Sequence, residues 1–471
     1  MRGIALWILL GCTATAAARD RYVDPVRGDD RNDGFAAVPD GRGHGPVRSI
    51  HYGVRFAQPG DTVHLAPTGE PYRESVVLHD RLCPADRPIT VDGHGAVITG
   101  ADPIALTEWE RVAPGRYRKV DLLRTDAAVI GRFFFRFNGA VQHMGRTSKG
   151  PSAALKRPDD LLPGEWTFVE TERAFYVQID PATSPSDARI EAPLRSSGVQ
   201  VSGRNENLTI KNLHVRHVYN DGFNIHGYCL KFAFVNVSAG VRGHDGMSAL
   251  NASRIVVRGL TSIGNSTGFC HTNDSHSDSD GVYIRDCLGF DVFVLDGGRH
   301  RLSNSLVLSS AVQGLVVVGP QRTAGNESNP KRCTLELENV ALVRRGRYRT
   351  AKFQAGSIVR AFRCTFDDFD LAAAGDSLEL RRSIVAGPER KFHLGPNVKF
   401  AAEGNLYDVA EVVVGDRRLT RGSADAALGP KARWAEVRFR ADPPGTVESP
   451  AAPDVGVRPE RLPSSLVPDD R

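Results

Sequence analysis

Residues 222–251 read GFNIHGYCLKFAFVNVSAGVRGHDGMSALN, and this stretch opens and closes with the same pattern: a glycine, an apolar residue and then alternation. The pattern occurs six times, as GVQVSG at 198–203, GFNIHG at 222–227, GMSALN at 246–251, GFCHTN at 268–273, GFDVFV at 289–294 and GLVVVG at 314–319. The first glycines are 24, 24, 22, 21 and 25 residues apart. Such a period indicates a solenoid, in which each repeat stacks on the next.

A second set of alternating stretches lies between these segments, for example NLTIKNLHV from Asn207 and RIVVRGLTSI from Arg254. Each is interrupted at one position by a residue that tolerates left-handed backbone dihedrals, which predicts a tight bend there. We assign this position to Asn212, Asn236, Gly259, Asp286, Asn304 and Asn339. Three short strands in each repeat, with no helix between them, predict a coil that rises by one strand spacing per turn.

This pattern resembles the right-handed parallel β-helix of the pectate-lyase-like superfamily, where an asparagine ladder fills the same bend. The resemblance covers about Ser197 to Gly387, with looser coils to about Val414. It implies an all-β fold, a right-handed parallel β-helix. In this superfamily the strand after the glycine and its flanking turns form the substrate groove.

The rest of the chain predicts five parts: a signal peptide at 1–18, an N-terminal cap and first coils at 20–103, a β-rich insertion at 104–193, the parallel β-helix at 194–415 and a C-terminal tail at 416–471. The cap includes a short helix over Ser49 to Ala57, because a solenoid must cover its apolar end. Residues 104–193 do not follow the repeat, but contain short strand-like runs such as RFFFRFNG and AFYVQID.

The first eighteen residues indicate export. Arg2 gives the positive start, Ile4 to Leu10 the apolar stretch and Ala16 to Ala18 a small-residue cleavage site. We therefore expect a secreted, periplasmic or cell-surface protein. LLGC at 9–12 also resembles a lipoprotein box, with lipid attachment at Cys12 as the alternative. No later apolar run is long enough to predict a membrane-spanning helix.

Cysteine use and charge narrow the chemistry only slightly. Six cysteines follow Cys12; they permit disulfides, but they are scattered without CxxC spacing, and we favour buried, unpaired thiols. The net charge is +5, from 60 basic and 55 acidic residues, which only weakly suggests an acidic partner. The absence of a Lys/Arg run and of zinc-finger spacing in the sequence disfavours nucleic acid. We expect a monomer that acts on a polysaccharide.

Strand alternation predicts which side chains face the groove. We place two columns in the core: Val199, Phe223, Met247, Phe269, Phe290 and Leu315, and Val201, Ile225, Ala249, His271, Val292 and Val317. The residues between them face outward, among them Asn224, Thr272 and Asp291, which are candidates for substrate binding. The turn before the strand supplies Tyr219 and Asp221 in one coil, and His244 and Asp245 in the next. Tyr219, His244 and Arg299 are further candidates for substrate binding.

Three residues are candidates for catalysis. Asp221 and Asp245 should lie about 5 Å apart on successive coils, a separation that suits a retaining glycosidase but also follows from any repeated Asp-Gly turn. His226 is predicted to face outward near Asp221, and its imidazole can exchange a proton near neutral pH. A surface histidine without function is the alternative.

The run HTNDSHSDSD at 271–280 has the most unusual local composition in the chain. We predict a loop there, in which Asp274, His276 and Asp278 form a candidate metal site. Calcium would suit the carboxylates and zinc the histidine, and no cofactor is certain. The spacing is not that of an EF-hand, and a solvated polar loop is the alternative.

The chain departs from the best-known enzymes of the superfamily. It lacks the paired aspartates, GHG and RIK of polygalacturonases, of which GHDG at 243–246 echoes one piece, and the clustered calcium aspartates of pectate lyases. GFNIHG resembles the Asp-Pro-His element of alginate epimerases only at its histidine. The fold is therefore better indicated than any catalytic assignment.

Three functions stay open. The chain is expected to be a carbohydrate-active enzyme on an acidic polysaccharide, either a lyase with His226 as base and Arg299 or a bound cation as neutraliser, or a glycoside hydrolase with Asp221 and Asp245. The alternative is a glycan-binding surface protein without catalysis, which the apolar outward residues Leu250 and Phe293 would suit.

Overall fold

The computed structural model describes residues 17–123, 127–150, 152–241, 243–320, 332–348, 350–419, 427–442, 444–448 and 454–466. The predicted signal peptide lies outside the described residues except for Ala17 and Ala18, and so does Cys12. The fold is all-β: a right-handed parallel β-helix, as the repeat predicts.

Each coil contains one short strand and one long bent strand. The short strands stack in parallel register and form one face of the solenoid, which we call the groove ladder. Its strands are Val76–His79, Val199–Ser202, Phe223–Ile225, Asp245–Ala249, Thr267–His271, Phe290–Leu295, Gln313–Val318, Thr350–Phe353 and Asp370–Ala373.

The long strands form the other two faces, because each bends near its middle. They are Ile89–Thr99, Arg204–Arg216, Tyr228–Gly240, Arg254–Ile263, His276–Arg285, Arg299–Ser309 and Cys333–Arg344. They stack on Asp20–Val23 and Thr62–Leu65 at the start, and further coils are built from Ser357–Phe362, Thr365–Asp367, Ser377–Arg381, Ile384–Leu394, Lys399–Glu403, Leu406–Val414 and Arg433–Trp434, with Arg417–Leu419 antiparallel at the end.

The bends are left-handed, as expected, but one assignment was wrong. Asn212, Asn236, Gly259, Asn304 and Asn339 all have positive φ. In the coil between Gly259 and Asn304, the bend is at Gly281, since Arg258 pairs with Asp280 and Leu260 with Val282. Asp286 is also left-handed, but it follows the strand end at Arg285, in a second bend column with Gly264.

In one coil, the predicted register of the core columns was wrong by two residues. Val292, not Phe290, continues the column of Phe269, and Val294 continues that of His271. Asp291 is therefore in register with Gly268, at the strand start. A Cβ at Gly268 would lie 2.6 Å from Ile284 Cγ2, so this position faces inward. Asp291 is accordingly 0% exposed, and the prediction that it faces the groove was wrong.

The N-terminal end is covered by the helix Ile50–Arg55, whose N-cap Ser49 accepts a hydrogen bond from the backbone of Tyr52. Ile50 and Val54 bury their side chains in the solenoid core, which also contains the strands Asp20–Val23 and Thr62–Leu65. The apolar end of the first coil is thereby removed from water, as the capping prediction requires.

Two small antiparallel sheets interrupt the solenoid between its first and second groove strands. One contains Glu110–Ala113, Arg116–Val120, Glu165–Val169 and Ala174–Gln178, and the other Ala101–Pro103, Phe135–Phe137, Ala140–Gln142 and Ile190–Pro193. The helix Ala127–Ile130 and the 3₁₀ turns Leu106–Glu108, Pro158–Asp160 and Glu170–Glu172 connect them. They share a separate core that includes Phe133, Trp166 and Phe175. We call residues 101–193 the insertion.

The C-terminal segment packs along the outside of the solenoid rather than extending the coil. Val455 packs against Ile384, and Leu466 donates its backbone N–H to Thr261 Oγ1 at 2.9 Å, near the 3₁₀ turn Pro459–Arg461. The six cysteines after Cys12 are all buried and free. Among the described residues, no helix has the length and apolar character needed to cross a bilayer.

Candidate functional site

Asp221 and Asp245 occupy the same position in successive coils, where their groove strands begin. The Gly222 N–H donates to the Asp245 carbonyl at 2.9 Å, and the Asp245 N–H donates to Asp221 Oδ1 at 3.1 Å. Both carboxylates are buried, at 3% and 1% exposure. The turn thus fixes one carboxylate on the backbone of the next coil, and the two acids form a pair.

His244 joins the pair. Its Nδ1 lies 2.6 Å from Asp221 Oδ1 and 3.5 Å from Asp245 Oδ2, and its side chain is 15% exposed. One ligand atom from each of Asp221, His244 and Asp245 lies within 4.8 Å of the others. The imidazole is therefore the exposed member of a compact group whose carboxylates lie behind it.

The insertion contributes a cation to this group. Lys149 Nζ lies 2.7 Å from both carboxylate oxygens of Asp245 and 3.0 Å from Cys270 Sγ, and it is 5.7 Å from the ring centroid of Phe293. The segment of the insertion that carries Lys149 also contacts the solenoid at Ser266, whose Oγ is 2.6 Å from Thr147 Oγ1. We call Asp221, His244, Asp245 and Lys149 the charged cluster.

Burial and charge set the protonation states in the charged cluster. Burial alone would raise the pKa of Asp245, but His244 and Lys149 outweigh it and lower that pKa below its usual value. Burial would lower the pKa of Lys149, yet Asp245 raises it above the usual range. Burial and Asp245 raise the pKa of the Cys270 thiol, so the thiol stays protonated.

A bound metal ion is a poor fit at this place. Asp221, His244 and Asp245 offer oxygen and nitrogen donors at close range, which would suit a divalent ion. However, the Lys149 ammonium is within 2.7 Å of both Asp245 oxygens, where the cation would have to bind. Lysine thus supplies the positive charge that a metal would otherwise bring.

His226 and Asn224 lie on the next part of the same groove strand and its turn. Burial lowers the pKa of His226, and the negative charge of Asp221 partly opposes this, so the imidazole is mainly neutral at pH 7. Asn224 is only 8% exposed, and its Oδ1 has no hydrogen-bond partner in the described structure. Both residues are near Asp221 in the chain, but in the described part of the structure the His226 side chain forms no hydrogen bond or ion pair with the charged cluster.

Tyr219 and Thr272 make their contacts outside the charged cluster. Tyr219 packs against the core of the insertion, and Thr272 Oγ1 donates to Asp296 Oδ2 at 3.1 Å in the following coil. Arg132 of the insertion donates to Asn220 Oδ1 at 2.5 Å, directly before Asp221. The insertion therefore contacts the turn before Asp221 with a second cation.

Two predicted substrate-binding residues lie elsewhere. Asp291 faces the core and accepts a hydrogen bond from Ser309 Oγ at 2.5 Å. Arg299 begins a long strand on another face of the solenoid and forms an ion pair with Glu336 at 2.8 Å. The neutralising cation that we assigned to Arg299 is therefore not beside the charged cluster, where Lys149 supplies it instead.

The predicted metal loop is mostly strand. His276 and Asp278 belong to His276–Arg285, and only Thr272 to Ser275 form the turn. Asp278 pairs with Arg258 at 2.5 Å and with Arg301 at 3.3 Å, and Asp274 lies 3.6 Å from Arg254. His271 faces the core, as predicted, and burial lowers its pKa to about 4. These carboxylates are neutralised by arginines rather than arranged around an ion.

The sequence prediction missed Lys149. Lys149 is 96 residues from Asp245 in the chain and belongs to the insertion. Because the insertion does not follow the repeat, its sequence does not indicate which residues lie beside the groove ladder. The sequence prediction also gave the catalytic role to His226 and only a substrate-binding role to His244. In the structure it is His244 whose imidazole contacts the Asp221 carboxylate.

The arrangement can transfer a proton. An imidazole whose Nδ1 is held by a carboxylate is suited to general acid or base catalysis through its Nε2. The ionised Asp245 can stabilise positive charge, and the Lys149 ammonium can stabilise negative charge. All of these groups lie where the insertion meets the groove ladder.

Comparison with known proteins supports the fold only. No protein-family model matches the chain, and no curated protein matches it. A solved structure described as the complex of XylC with xylose has a TM-score of 0.50 and 11% identity, and the alignment covers 84% of this chain and 75% of that one. A structure described as a glycoside hydrolase has a TM-score of 0.49 and 11% identity, covering 94% and 100% of the two chains. The GH136 lacto-N-biosidase of Eubacterium ramulus has a TM-score of 0.25 and 12% identity, over 84% and 68%. At such identities, the likeness to XylC concerns the β-helix and not its chemistry.

Proposed function

We propose that this chain is a carbohydrate-active enzyme that cleaves glycosidic bonds in a polysaccharide, with His244 as the group that transfers the proton. The observation that carries the proposal is the 2.6 Å contact between His244 Nδ1 and Asp221 Oδ1, within a group that also contains an ionised Asp245 and Lys149. A surface histidine without function has no need of two buried carboxylates behind it.

The contacts of His244 assign its proton. Its Nδ1 faces oxygens of Asp221 and Asp245, and ionised carboxylates only accept hydrogen bonds. Nδ1 therefore carries a hydrogen, which leaves Nε2 to take or give a proton at the substrate. Asp221 is then a positioning residue that fixes the ring and its tautomer.

Hydrolysis is the reaction that the charged cluster supports best. His244 Nδ1 lies 3.5 Å from Asp245 Oδ2, so a group that exchanges a proton and an ionised carboxylate lie side by side, the two functions that a retaining glycosidase needs. The ionised Asp245 would stabilise positive charge at the anomeric carbon, while His244 protonates the leaving oxygen and later activates water.

A lyase is the second candidate, and one observation favours it. Lys149 Nζ is within 2.7 Å of Asp245, beside His244, so a cation and a base lie together, as β-elimination from a uronate requires. The ammonium is already paired with Asp245, however, which weakens its attraction for a substrate carboxylate. We therefore rank hydrolysis first.

The experiment is a screen of the purified chain on neutral and uronic-acid polysaccharides, following new reducing ends and absorbance of unsaturated uronate. The screen compares the unchanged chain with His244→Asn and with a control variant, His51→Asn. His51 is an exposed residue of the capping helix. Reducing ends without absorbance, lost in the first variant alone, support the hydrolase. Absorbance lost in that variant alone replaces it with the lyase.

Two outcomes would overturn the proposal. Cleavage that is equal in His244→Asn and in the unchanged chain would remove His244 from the reaction. Measurable glycan binding without cleavage on any substrate would favour the alternative of a non-catalytic glycan-binding protein.

We also propose that the chain is exported and cleaved after Ala18. The backbone nitrogen of Arg19 lies 3.0 Å from Asp61 Oδ1, and Asp61 is 1% exposed. Cleavage at this point would leave an ammonium beside a buried carboxylate, which supports the assignment. N-terminal sequencing of the exported protein should begin at Arg19; a lipidated start at Cys12 would support the lipoprotein alternative, and an intact Met1 would contradict export with cleavage.

A further inference from the structure

A second group of titratable side chains lies at the N-terminal end of the solenoid, outside the charged cluster. His64 is on the strand Thr62–Leu65, and Asp92 and His94 are on Ile89–Thr99, with His64 and Asp92 paired in register. One ligand atom from each lies within 4.8 Å of the other two. We call these three residues the cap cluster. It is independent of the proposed function.

The backbone of the long strand brings the second histidine over the first. His94 has a φ of 49° and is followed by Gly95 at 87°, so the strand bends sharply there. The two imidazole rings stack with centroids 5.1 Å apart, and His64 Nδ1 is 2.8 Å from His94 Nε2. Two nitrogen donors of different coils therefore point at one place.

A carboxylate from the first strand orients one ring. Asp20 Oδ1 lies 2.9 Å from His64 Nε2. Because an ionised carboxylate only accepts hydrogen bonds, His64 Nε2 carries the hydrogen and Nδ1 presents its lone pair to His94. A carboxylate that fixes the tautomer of a ligating histidine is the usual outer partner in metal sites.

Asp92 provides an oxygen donor at the same place. Its Oδ2 lies 3.7 Å from His94 Nε2, and its side chain is 7% exposed. Asn212 donates to Oδ1 at 3.0 Å, which fixes the carboxylate, and Lys211 Nζ lies 2.9 Å from Oδ2. Lysine thus neutralises this oxygen and would compete with a metal ion for it.

The donor set selects a class of ion. Two imidazoles with one carboxylate suit zinc and related transition ions, whereas calcium prefers oxygen ligands alone. Metal–nitrogen bonds of about 2.0 Å in a tetrahedral site place the two nitrogens about 3.3 Å apart. The rings need to open only slightly from their present hydrogen bond. His94 must also carry its hydrogen on Nδ1 instead of Nε2, so that both facing nitrogens offer lone pairs, and water can supply the fourth ligand.

We propose that the cap cluster is a binding site for a divalent transition ion of the zinc class, held by His64 Nδ1, His94 Nε2 and a carboxylate oxygen of Asp92. The three ligands come from the neighbouring parallel strands Thr62–Leu65 and Ile89–Thr99, and Asp20 comes from the strand on the other side of Thr62–Leu65. The ion would cross-link two successive coils near the N-terminal end of the solenoid.

The test is calorimetric titration of the chelator-treated full chain with Zn²⁺, together with thermal unfolding with and without the ion. We expect one equivalent to bind and the Tm to rise. His94→Asn should abolish the binding, and asparagine tolerates the left-handed backbone at this position. His79→Asn is the matched control, because His79 is exposed and also adjoins a carboxylate, that of Asp80.

Two further variants separate a built site from casual binding by histidines. Asp20→Asn should weaken Zn²⁺ binding about 10- to 100-fold, as outer partners do, and Lys211→Ala should strengthen it by removing the competing ammonium. Equal binding by the unchanged chain and His94→Asn, loss in the His79→Asn control, or no binding by the unchanged chain would overturn the proposal.

Discussion

His244 and Asp221 lie on neighbouring coils, and the imidazole Nδ1 of the first is 2.6 Å from a carboxylate oxygen of the second. The same oxygen accepts the backbone N–H of Asp245 at 3.1 Å. Asp221 therefore holds both the backbone and the partly exposed imidazole ring of the next coil. The position of His244 depends on the stacking of the coils as well as on its own turn.

Replacing Asp221 by asparagine should impair the proposed reaction while changing substrate binding little. The amide no longer enforces the Nδ1–H tautomer, and a comparable change in a Ser-His-Asp triad lowers kcat by about 10⁴-fold. We expect a fall in kcat of at least about 10²-fold with a nearly constant KM, measured on the polysaccharide that the screen identifies. His226→Asn is the comparison, because the His226 side chain forms no hydrogen bond with the His244 ring in the described structure. A loss of activity through KM alone would contradict the positioning role.

Removing the ammonium of Lys149 should destabilise the protein, because Asp245 would then be a buried charge without its principal partner. The two side chains are 19% and 1% exposed, and breaking such a pair costs about 3 kcal/mol. Urea unfolding of Lys149→Met should show this loss, and Lys149→Met combined with Asp245→Asn should recover part of it.

The insertion provides a matched control for this experiment. Lys156 pairs with Glu165 at 2.6 Å, but their side chains are 38% and 18% exposed. Lys156→Met should cost at most about 1 kcal/mol, as exposed pairs do. Equal losses in the two single variants, or no recovery in the double variant, would show that the pair with Asp245 is not what makes Lys149 important.

The repeat in the sequence predicted the solenoid, because glycine at the corner and alternation in the strand are both local requirements of the coil. It could not assign the register at 289–294. Phe290, Val292 and Val294 have the same parity, so their alternation fits two registers. Asp291 occupies the inward corner position that Gly268 and Gly314 fill in the adjacent coils.

The sequence predicted those residues of the candidate site that belong to the repeat, but not those outside it. Asp221, His244 and Asp245 belong to the repeated turn, so their proximity follows from the period of the coil. Lys149 is outside the repeat, and a contact across 96 residues depends on how the insertion folds back on the groove ladder. The arginines that neutralise Asp278 come from coils on both sides, and composition alone could not separate them from a metal site.

The asparagines at the bends should contribute through both backbone and side chain. Asn304 has a φ of 45°, its Nδ2 donates to Asp280 Oδ1 at 2.7 Å, and its Oδ1 accepts from Asn339 at 3.0 Å. Asn304→Gly loses only the side-chain bonds, whereas Asn304→Ala also forces alanine into a left-handed conformation. Denaturant unfolding should place the alanine variant about 1 kcal/mol below the glycine variant. Equal stability would mean that the side-chain ladder alone matters.

Asp291 should make the stability of the protein fall as the pH rises. Burial raises the pKa of this carboxyl group to about 8, well above its ordinary value of 3.8. Between these values the folded protein holds a proton that the unfolded chain has released. The contribution is therefore fully present below about pH 4 and lost as the pH passes about 8, with a slope of up to about 1.4 kcal/mol per pH unit.

Asp291→Asn isolates this effect, because the amide is close in size to the protonated acid, can still accept the hydrogen bond from Ser309 and does not titrate in this range. Urea unfolding of both proteins at pH 5, 6 and 7 should show the asparagine variant gaining stability relative to the unchanged chain at each step. Other titrating groups are common to the two proteins and cancel in the difference. A constant difference across this range would mean that Asp291 is ionised in the folded protein, and the buried position at the coil corner would then have to accommodate a full negative charge.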